Sequence, residues 1–266
     1  MKSVAELLGL KGRVAVITGG AGHIGLAAGE SLAEQGAAVV VVDLDEAACA
    51  ARAQDLSARF NVEALPLAID LARDDAATVI VSRTLERFGR LDVLINNAAY
   101  VGTSGLSGYS VPFAQQTAAA WEAALRVNLT AAFLLSQAAA PALTQQRGSI
   151  INVGSIYGVT GPVMSLYEGT PLGNPAAYAA SKGGLLQLTR YLSTVLAPHV
   201  RANAVCPGGI ARNQDPTFVA RYVARTPLQR MGSEQDLKGA FAFLAGDAAA
   251  YITGQTLMVD GGWTAW

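Results

Sequence analysis

Tyr178-Ala179-Ala180-Ser181-Lys182 places a phenol and an ammonium at i and i+4, on one face of a helix. Of the eight tyrosines, only Tyr178 has a lysine four residues on. A free tyrosine titrates near ~10, too high for acid–base work close to neutrality. Bringing it to ~7 takes about 4 kcal/mol, at ~1.36 kcal/mol per unit. One ammonium at ~4 Å supplies about that much in a medium of effective dielectric ~20. The pair therefore points to proton transfer; the bland alternative is a surface contact with no role.

A second constellation lies near the start of the chain. Thr18-Gly19-Gly20-Ala21-Gly22-His23-Ile24-Gly25 follows a β-branched run and precedes a helical stretch, and Gly20, Gly22 and Gly25 fit G-x-G-x-x-G. A pyrophosphate needs this composition: the backbone must turn tightly and approach it closely, and the following helix offers N–H groups and a positive dipole end. Without its context the motif is weak, and a ligand-free glycine turn is the competing reading. Asp43 follows the next apolar run, 18 residues past Gly25. A carboxylate there accepts hydrogen bonds from an adenosine ribose and repels a 2′-phosphate. No Arg or Lys stands in the glycine loop or directly after Asp43, so NAD is expected rather than NADP. Capping the next helix is the other use open to Asp43. His23 is the loop's one possible cation, and with only His23 and His199 in the chain no zinc site is expected.

The elements that must position these groups alternate. Strands are expected at Arg13–Thr18, Ala37–Val42, Val62–Ile69, Asp92–Asn96, Ser149–Val153, Arg201–Val205 and Gln255–Val259. Most are nearly continuous in apolar residues, as fits a parallel sheet covered on both faces. Helices are expected at His23–Gln35, Glu46–Phe60, Asp75–Phe88, in two pieces over 114–146, from Pro175 to Leu196 with Asn174 as N-cap, and at Glu234–Leu244. Residues 1–10 read as a short amphipathic lead-in. Residues 157–174 are rich in Gly and Pro and read as a long irregular loop.

The chain has 266 residues, 52% of them hydrophobic and 15% charged. That fits one α/β domain over residues 1–266 and excludes disorder. A net charge of −1 argues against nucleic acid and membrane surfaces as partners. The first apolar run, Val14 to Ile17, is too short for a signal core or a membrane span. Cys49 and Cys206 have no metal spacing and support no disulfide framework, so a reduced, cytoplasmic setting is the expectation.

Taken together, Leu10-Lys11-Gly12-Arg13, Thr18-Gly19, Asn96-Asn97-Ala98-Ala99, Val127-Asn128, Gly154-Ser155, Tyr178 with Lys182, Pro207-Gly208-Gly209 and Val259-Asp260-Gly261-Gly262 occur in the order seen in short-chain dehydrogenases/reductases. The chain resembles that family over residues 10 to 263. The resemblance implies a single-domain, doubly wound Rossmann fold with a seven-stranded parallel sheet in the order 3-2-1-4-5-6-7. It implies Tyr178 as the acid/base, and Lys182 as the group that lowers its pKa and binds the nicotinamide ribose. It gives Ser155 the substrate oxygen, and Asn128 a water in a proton relay. Gly19, Gly22, His23, Ile24, Gly25, Asp43, Asp70, Leu71, Asn97, Ala98, Pro207, Gly208 and Ile210 are the implied cofactor contacts, Asp70 and Leu71 on the adenine side. Asn96 and Asn97 have a structural alternative, tying strand to strand. A homo-oligomer, tetramer or dimer, is the family expectation.

Three departures mark this chain. Its glycine loop, with His23, looks like that of the extended form, which includes nucleotide-sugar epimerases. A threonine common after the proline–glycine motif is absent, and Arg212 stands near its place. Ser155 and Tyr178 are 23 residues apart, about ten more than the family pattern. The extra residues fall in the loop 159–174, expected as one wall or lid of a substrate pocket, with Tyr167, Glu168 and Arg212 as substrate contacts. This polar set favours a hydroxylated, sugar-like secondary alcohol or ketone. The alternatives are a nucleotide-sugar epimerase or dehydratase that retains NAD, and a dinucleotide sensor without turnover.

Overall fold

The computed structural model describes residues 1–266. Seven strands are formed: β1 (Val14–Thr18), β2 (Ala38–Asp43), β3 (Ala64–Ala68), β4 (Val93–Asn96), β5 (Ser149–Val153), β6 (Arg201–Pro207) and β7 (Thr256–Val259). All pair in parallel, in the order β3-β2-β1-β4-β5-β6-β7. The central strands β1, β4 and β5 are buried at every position, which explains their unbroken apolar sequence. This is the doubly wound α/β fold expected, with strand bounds moved by one or two residues.

Nine α-helices accompany the sheet: α1 (Val4–Leu8), α2 (His23–Glu34), α3 (Glu46–Phe60), α4 (Ala76–Phe88), α5 (Ala118–Leu125), α6 (Ala131–Gln146), α7 (Ala176–Val195), α8 (Pro216–Arg225) and α9 (Gln235–Ala245). One core, under α2, α3 and α9, gathers Ile17, Val41, Leu56 and Phe241; the other, under α4, α6 and α7, gathers Val16, Ile80, Leu135 and Leu192. The lead-in is the short helix α1, closed by a capping box between Ser3 and Glu6.

Four expectations change. The stretch 114–146 is nearly one helix, because a π-helical turn, Arg126–Thr130, joins α5 to α6 without a break. This stretch has the length and apolarity to cross a membrane, yet it packs on α4, α7 and the sheet. Asn174 does not cap α7: Pro175 holds the cap position, with no side-chain bond to the helix. Asp45 rather than Asp43 caps α3, accepting from Ala48 N. Helix α8 was not anticipated; it begins with Asp215 capping Thr217 and Phe218, and Pro216 in the first turn.

Candidate active site

The carboxyl ends of β1, β2, β4, β5 and β6 carry the glycine loop, Asp43, Asn97, Ser155 and Pro207, while the π turn and α7 bring Asn128, Tyr178 and Lys182. At the end of β1, Gly19 turns the chain at φ +64°, a conformation open to glycine. A Cβ on Gly25 would stand 2.0 Å from the Gly19 carbonyl oxygen, so the first turn of α2 can only lie this close to the loop with glycine there. Gly22, at the helix N-cap, has no side chain to satisfy the first N–H groups of α2. Across from them, Asp43 Oδ2 accepts from Ala21 N at 3.1 Å and Oδ1 accepts from Leu44 N at 2.8 Å. The cradle and the carboxylate thus meet as one unit, and they fit the diphosphate and adenosine ribose of a dinucleotide.

The asparagines at the end of β4 tie strands together. Asn97 Nδ2 donates to the Thr18 and Gly19 carbonyls, both at 3.0 Å, and Thr18 Oγ1 accepts from the Asn97 and Ala98 N–H groups. Asn96 Nδ2 donates to Asn152 Oδ1 at 2.8 Å, and Asn152 passes the chain on to Thr189 Oγ1. Leu71, Ala98 and Asn128 line a common small cavity beside Thr18. Asp70 is exposed, and its Oδ1 accepts from Ala72 N in its own turn.

The π turn aims Asn128 inward. Its Oδ1 accepts from Tyr100 N at 2.7 Å, and its Nδ2 donates to Tyr100 O and Ser181 Oγ, both at 3.1 Å. Ser181 Oγ in turn donates to Tyr178 O at 2.8 Å. Asn128 and the Tyr178 turn of α7 are therefore locked together. Lys182 is 3% exposed; its Nζ donates to Val153 O at 2.7 Å and lies 5.7 Å from the centroid of the Tyr178 ring. No carboxylate pairs with it, and burial pushes its ammonium down to about 8. Ser155, two residues beyond Val153 and buried, accepts from Tyr157 N at 3.2 Å.

The Tyr178 phenol differs from the simple expectation. Burial raises its pKa, and the Ser155 hydroxyl opposes that rise. The Lys182 ammonium is turned onto the Val153 carbonyl, and burial is the largest effect on the phenol.

The remaining predicted contacts divide. Gly208 N donates to Val259 O and Gly209 N to the Tyr222 hydroxyl, which docks α8 on the strand end after Pro207. Ile210 is buried and bridges to Gly232. Tyr167 turns inward, its hydroxyl 2.7 Å from that of Tyr157. Glu168 is exposed; its backbone carbonyl, not its carboxylate, is engaged, by Arg221 of α8 at 2.6 Å. Arg212 does not face the 159–174 loop. Its Nε donates to Glu234 at 3.1 Å, and the same carboxylate oxygen lies 3.7 Å from His23 Nδ1, beside the glycine loop. The opposite charge 22 residues on captures it. Sequence reasoning missed Tyr157, which had no signal, and Tyr222 and Arg221, whose helix α8 was signalled by an apolar repeat.

A family model described as enoyl-(acyl carrier protein) reductase matches residues 19–264. The chain belongs to the short-chain dehydrogenase/reductase family. A 2-(S)-hydroxypropyl-CoM dehydrogenase of Xanthobacter autotrophicus is 36% identical, over 96% of this chain and 98% of its own. The solved gluconate 5-dehydrogenase of Burkholderia cenocepacia, in complex with NADP and tartrate, is 30% identical with a TM-score of 0.87, covering 99% of this chain and 100% of that one. An NAD+-bound xylitol dehydrogenase is 30% identical with a TM-score of 0.84, covering 95% and 99%. As a short-chain dehydrogenase/reductase the protein is an oxidoreductase that uses a nicotinamide dinucleotide and a small-molecule substrate.

Proposed function

We propose that the protein is an NAD-dependent dehydrogenase that interconverts a secondary alcohol and a ketone on a hydroxylated substrate, with residues 1–266 as one catalytic domain. The observation that carries this reading is Lys182, a buried ammonium with no carboxylate partner, held beneath Tyr178. Burying such a charge costs several kcal/mol. Perturbed titratable groups of this kind cluster at functional sites.

When bound, NAD would supply the hydride acceptor, and its reduced form the hydride donor. The chain's own residues do the rest. Gly19, Gly22, Ile24 and Gly25, with His23 beside them, would form the cradle for the diphosphate, where the first N–H groups of α2 have no capping side chain. Asp43 takes the adenosine ribose; its carboxylate, with no cation next to it in sequence, favours NAD over NADP. Asp70 and Leu71 lie on the adenine side, Asn97 and Ala98 line the cleft, and Pro207, Gly208 and Ile210 border the nicotinamide. Ser155 holds the substrate oxygen and Tyr178 exchanges its proton. Lys182 is charged below about pH 8; turned from Val153 O to the nicotinamide ribose, it would stand closer to the phenol and favour the phenolate. Asn128, fixed by Tyr100 and Ser181, holds a water that relays the proton onward. The relatives named as dehydrogenases of hydroxylated compounds support this class of substrate. A homo-oligomer is supported by the exposed Trp121, Phe133, Tyr191 and Val195 on α5, α6 and α7.

Tyr178→Phe tests the mechanism. It should lower kcat at least ~10²-fold, the low end for general acid–base catalysis. NADH affinity, read by fluorescence titration, should survive. Near-normal turnover in that variant would reduce Tyr178 to a structural role.

A further inference from the structure

Both polar atoms of the Asn174 amide are buried and make no hydrogen bond. An amide brings two donors and an acceptor, and leaving them unpaired out of water is costly. The fold nonetheless holds Asn174 there, because Gly173 is packed tightly against Gly102, and Pro175 starts α7. The Tyr157 and Tyr167 hydroxyls pair at 2.7 Å; burial raises the pKa of both phenols, and the nearby Asn174 amide opposes that rise. Within that pair one hydroxyl donates to the other, so one O–H remains free to donate.

The location ties this group to the reacting centre. Tyr157 donates its N–H to Ser155 Oγ, and Asn174 precedes Tyr178 by four residues. Tyr167 is near enough to Tyr178 to oppose its ionisation. The polar groups are framed by an apolar cluster of Ile156, Leu166, Leu172, Phe218 and Trp263. No cation is free beside them. Arg221 is spent on the carbonyls of Ser165, Leu166 and Glu168, Arg212 is paired with Glu234, and Lys182 is bound to Val153 O. A carboxylate brought here would be uncompensated, whereas a neutral hydroxyl can donate to Asn174 Oδ1 and accept from Nδ2.

We infer that Asn174, with the Tyr157 and Tyr167 hydroxyls, forms a neutral polar subsite that binds a second hydroxyl close to the reacting carbon, so that diols are preferred over mono-alcohols and over hydroxy acids. This rests on the alcohol–ketone reading above and sharpens its substrate class. It gives Asn174 a recognition role in place of the helix-capping role expected from sequence.

The test compares matched alcohols with NAD, followed by NADH absorbance: 2,3-butanediol against 2-butanol, cis-1,2-cyclohexanediol against cyclohexanol, and 1,3-butanediol against 3-hydroxybutyrate. The protein should favour the diol in each pair by at least tenfold in kcat/KM, about 1.4 kcal/mol. Asn174→Leu, of similar volume, should cut that preference at least tenfold, by losing turnover of the diol and not of the mono-alcohol. Asn174→Ala provides the same comparison should leucine not fit. An unchanged diol preference in both variants would overturn the subsite, as would a lowered Tm with an equal loss on both members of a pair. Preference for 3-hydroxybutyrate would also overturn it. Oxidation of mono-alcohols without a diol preference refutes the subsite and leaves the redox reading intact; oxidation of none of these compounds overturns both.

Discussion

Replacing Lys182 by methionine should make the protein more stable and almost inactive. The ammonium is 3% exposed, has no carboxylate partner, and titrates near 8 against an ordinary 10.5. A downward shift of that size means the folded state binds the proton more weakly than the unfolded chain does. At ~1.36 kcal/mol per unit it costs the folded state about 3 kcal/mol at neutral pH. Methionine removes this cost but forfeits the bond to Val153 O, a charge-assisted bond in the ~1.5–3 kcal/mol range. A net gain of about 1 kcal/mol remains, or roughly 2–4 °C in Tm for a chain of this size. The pH dependence sharpens the test. The cost is complete below pH ~8, shrinks as pH rises from ~8 to ~10.5, and is gone above that. The stability gap between Lys182→Met and the parent should therefore be widest near pH 7 and close toward pH 10.5. Thermal melts of the protein without added cofactor, across this range, measure it directly. A variant less stable than the parent at pH 7, or a gap that widens with pH, would refute the claim that Lys182 is held in place against stability.

Two further perturbations probe the ends of the cleft. Asp43→Ala should shrink an NAD preference over NADP expected to be at least tenfold in kcat/KM, about 1.4 kcal/mol; equal use of both cofactors by the parent protein would sink the assignment. Arg221→Ala should release the 165–168 turn from α8, because its guanidinium alone holds three of that turn's carbonyls. Substrate KM should rise severalfold while the NADH dissociation constant stays within about twofold, a shift of only ~0.4 kcal/mol; an unchanged substrate KM would remove the loop from the pocket.

The sheet was legible because buried parallel strands must be apolar on both faces. Val14 to Ile17 and Ala38 to Val42 carry that signature without a break. The edge strand β3 was expected longer, at Val62–Ile69. Its exposed positions weaken the pattern, and Asn61, in the left-handed conformation, ends α3 just before it. Helix α8 had a readable start in Asp215-Pro216, and apolar residues at 218, 219, 222 and 223 repeat at helical spacing. A short helix beyond the last catalytic motif was simply easy to read as loop. The partners of charged side chains were not legible. Arg212 pairs across 22 residues with Glu234, and sequence distance says nothing of that approach.

The division between what sequence carries and what it does not follows from the direction of the chain. In an all-parallel sheet every strand runs the same way, so whatever follows a strand emerges on one edge. The glycine loop after β1, Asp43 at the end of β2, Asn97 after β4, Ser155 after β5 and Pro207 at the end of β6 are therefore gathered by topology alone. Alternating β and α periodicity is enough to predict that gathering. The direction of each side chain past the strand end is set by different forces: steric contact at Gly25, a π turn at Asn128, a proline start that frees Asn174 from capping. Those are packing decisions made among residues far apart in sequence. They are why cofactor class was readable from motifs while the surroundings of Asn174 emerge only in the folded chain.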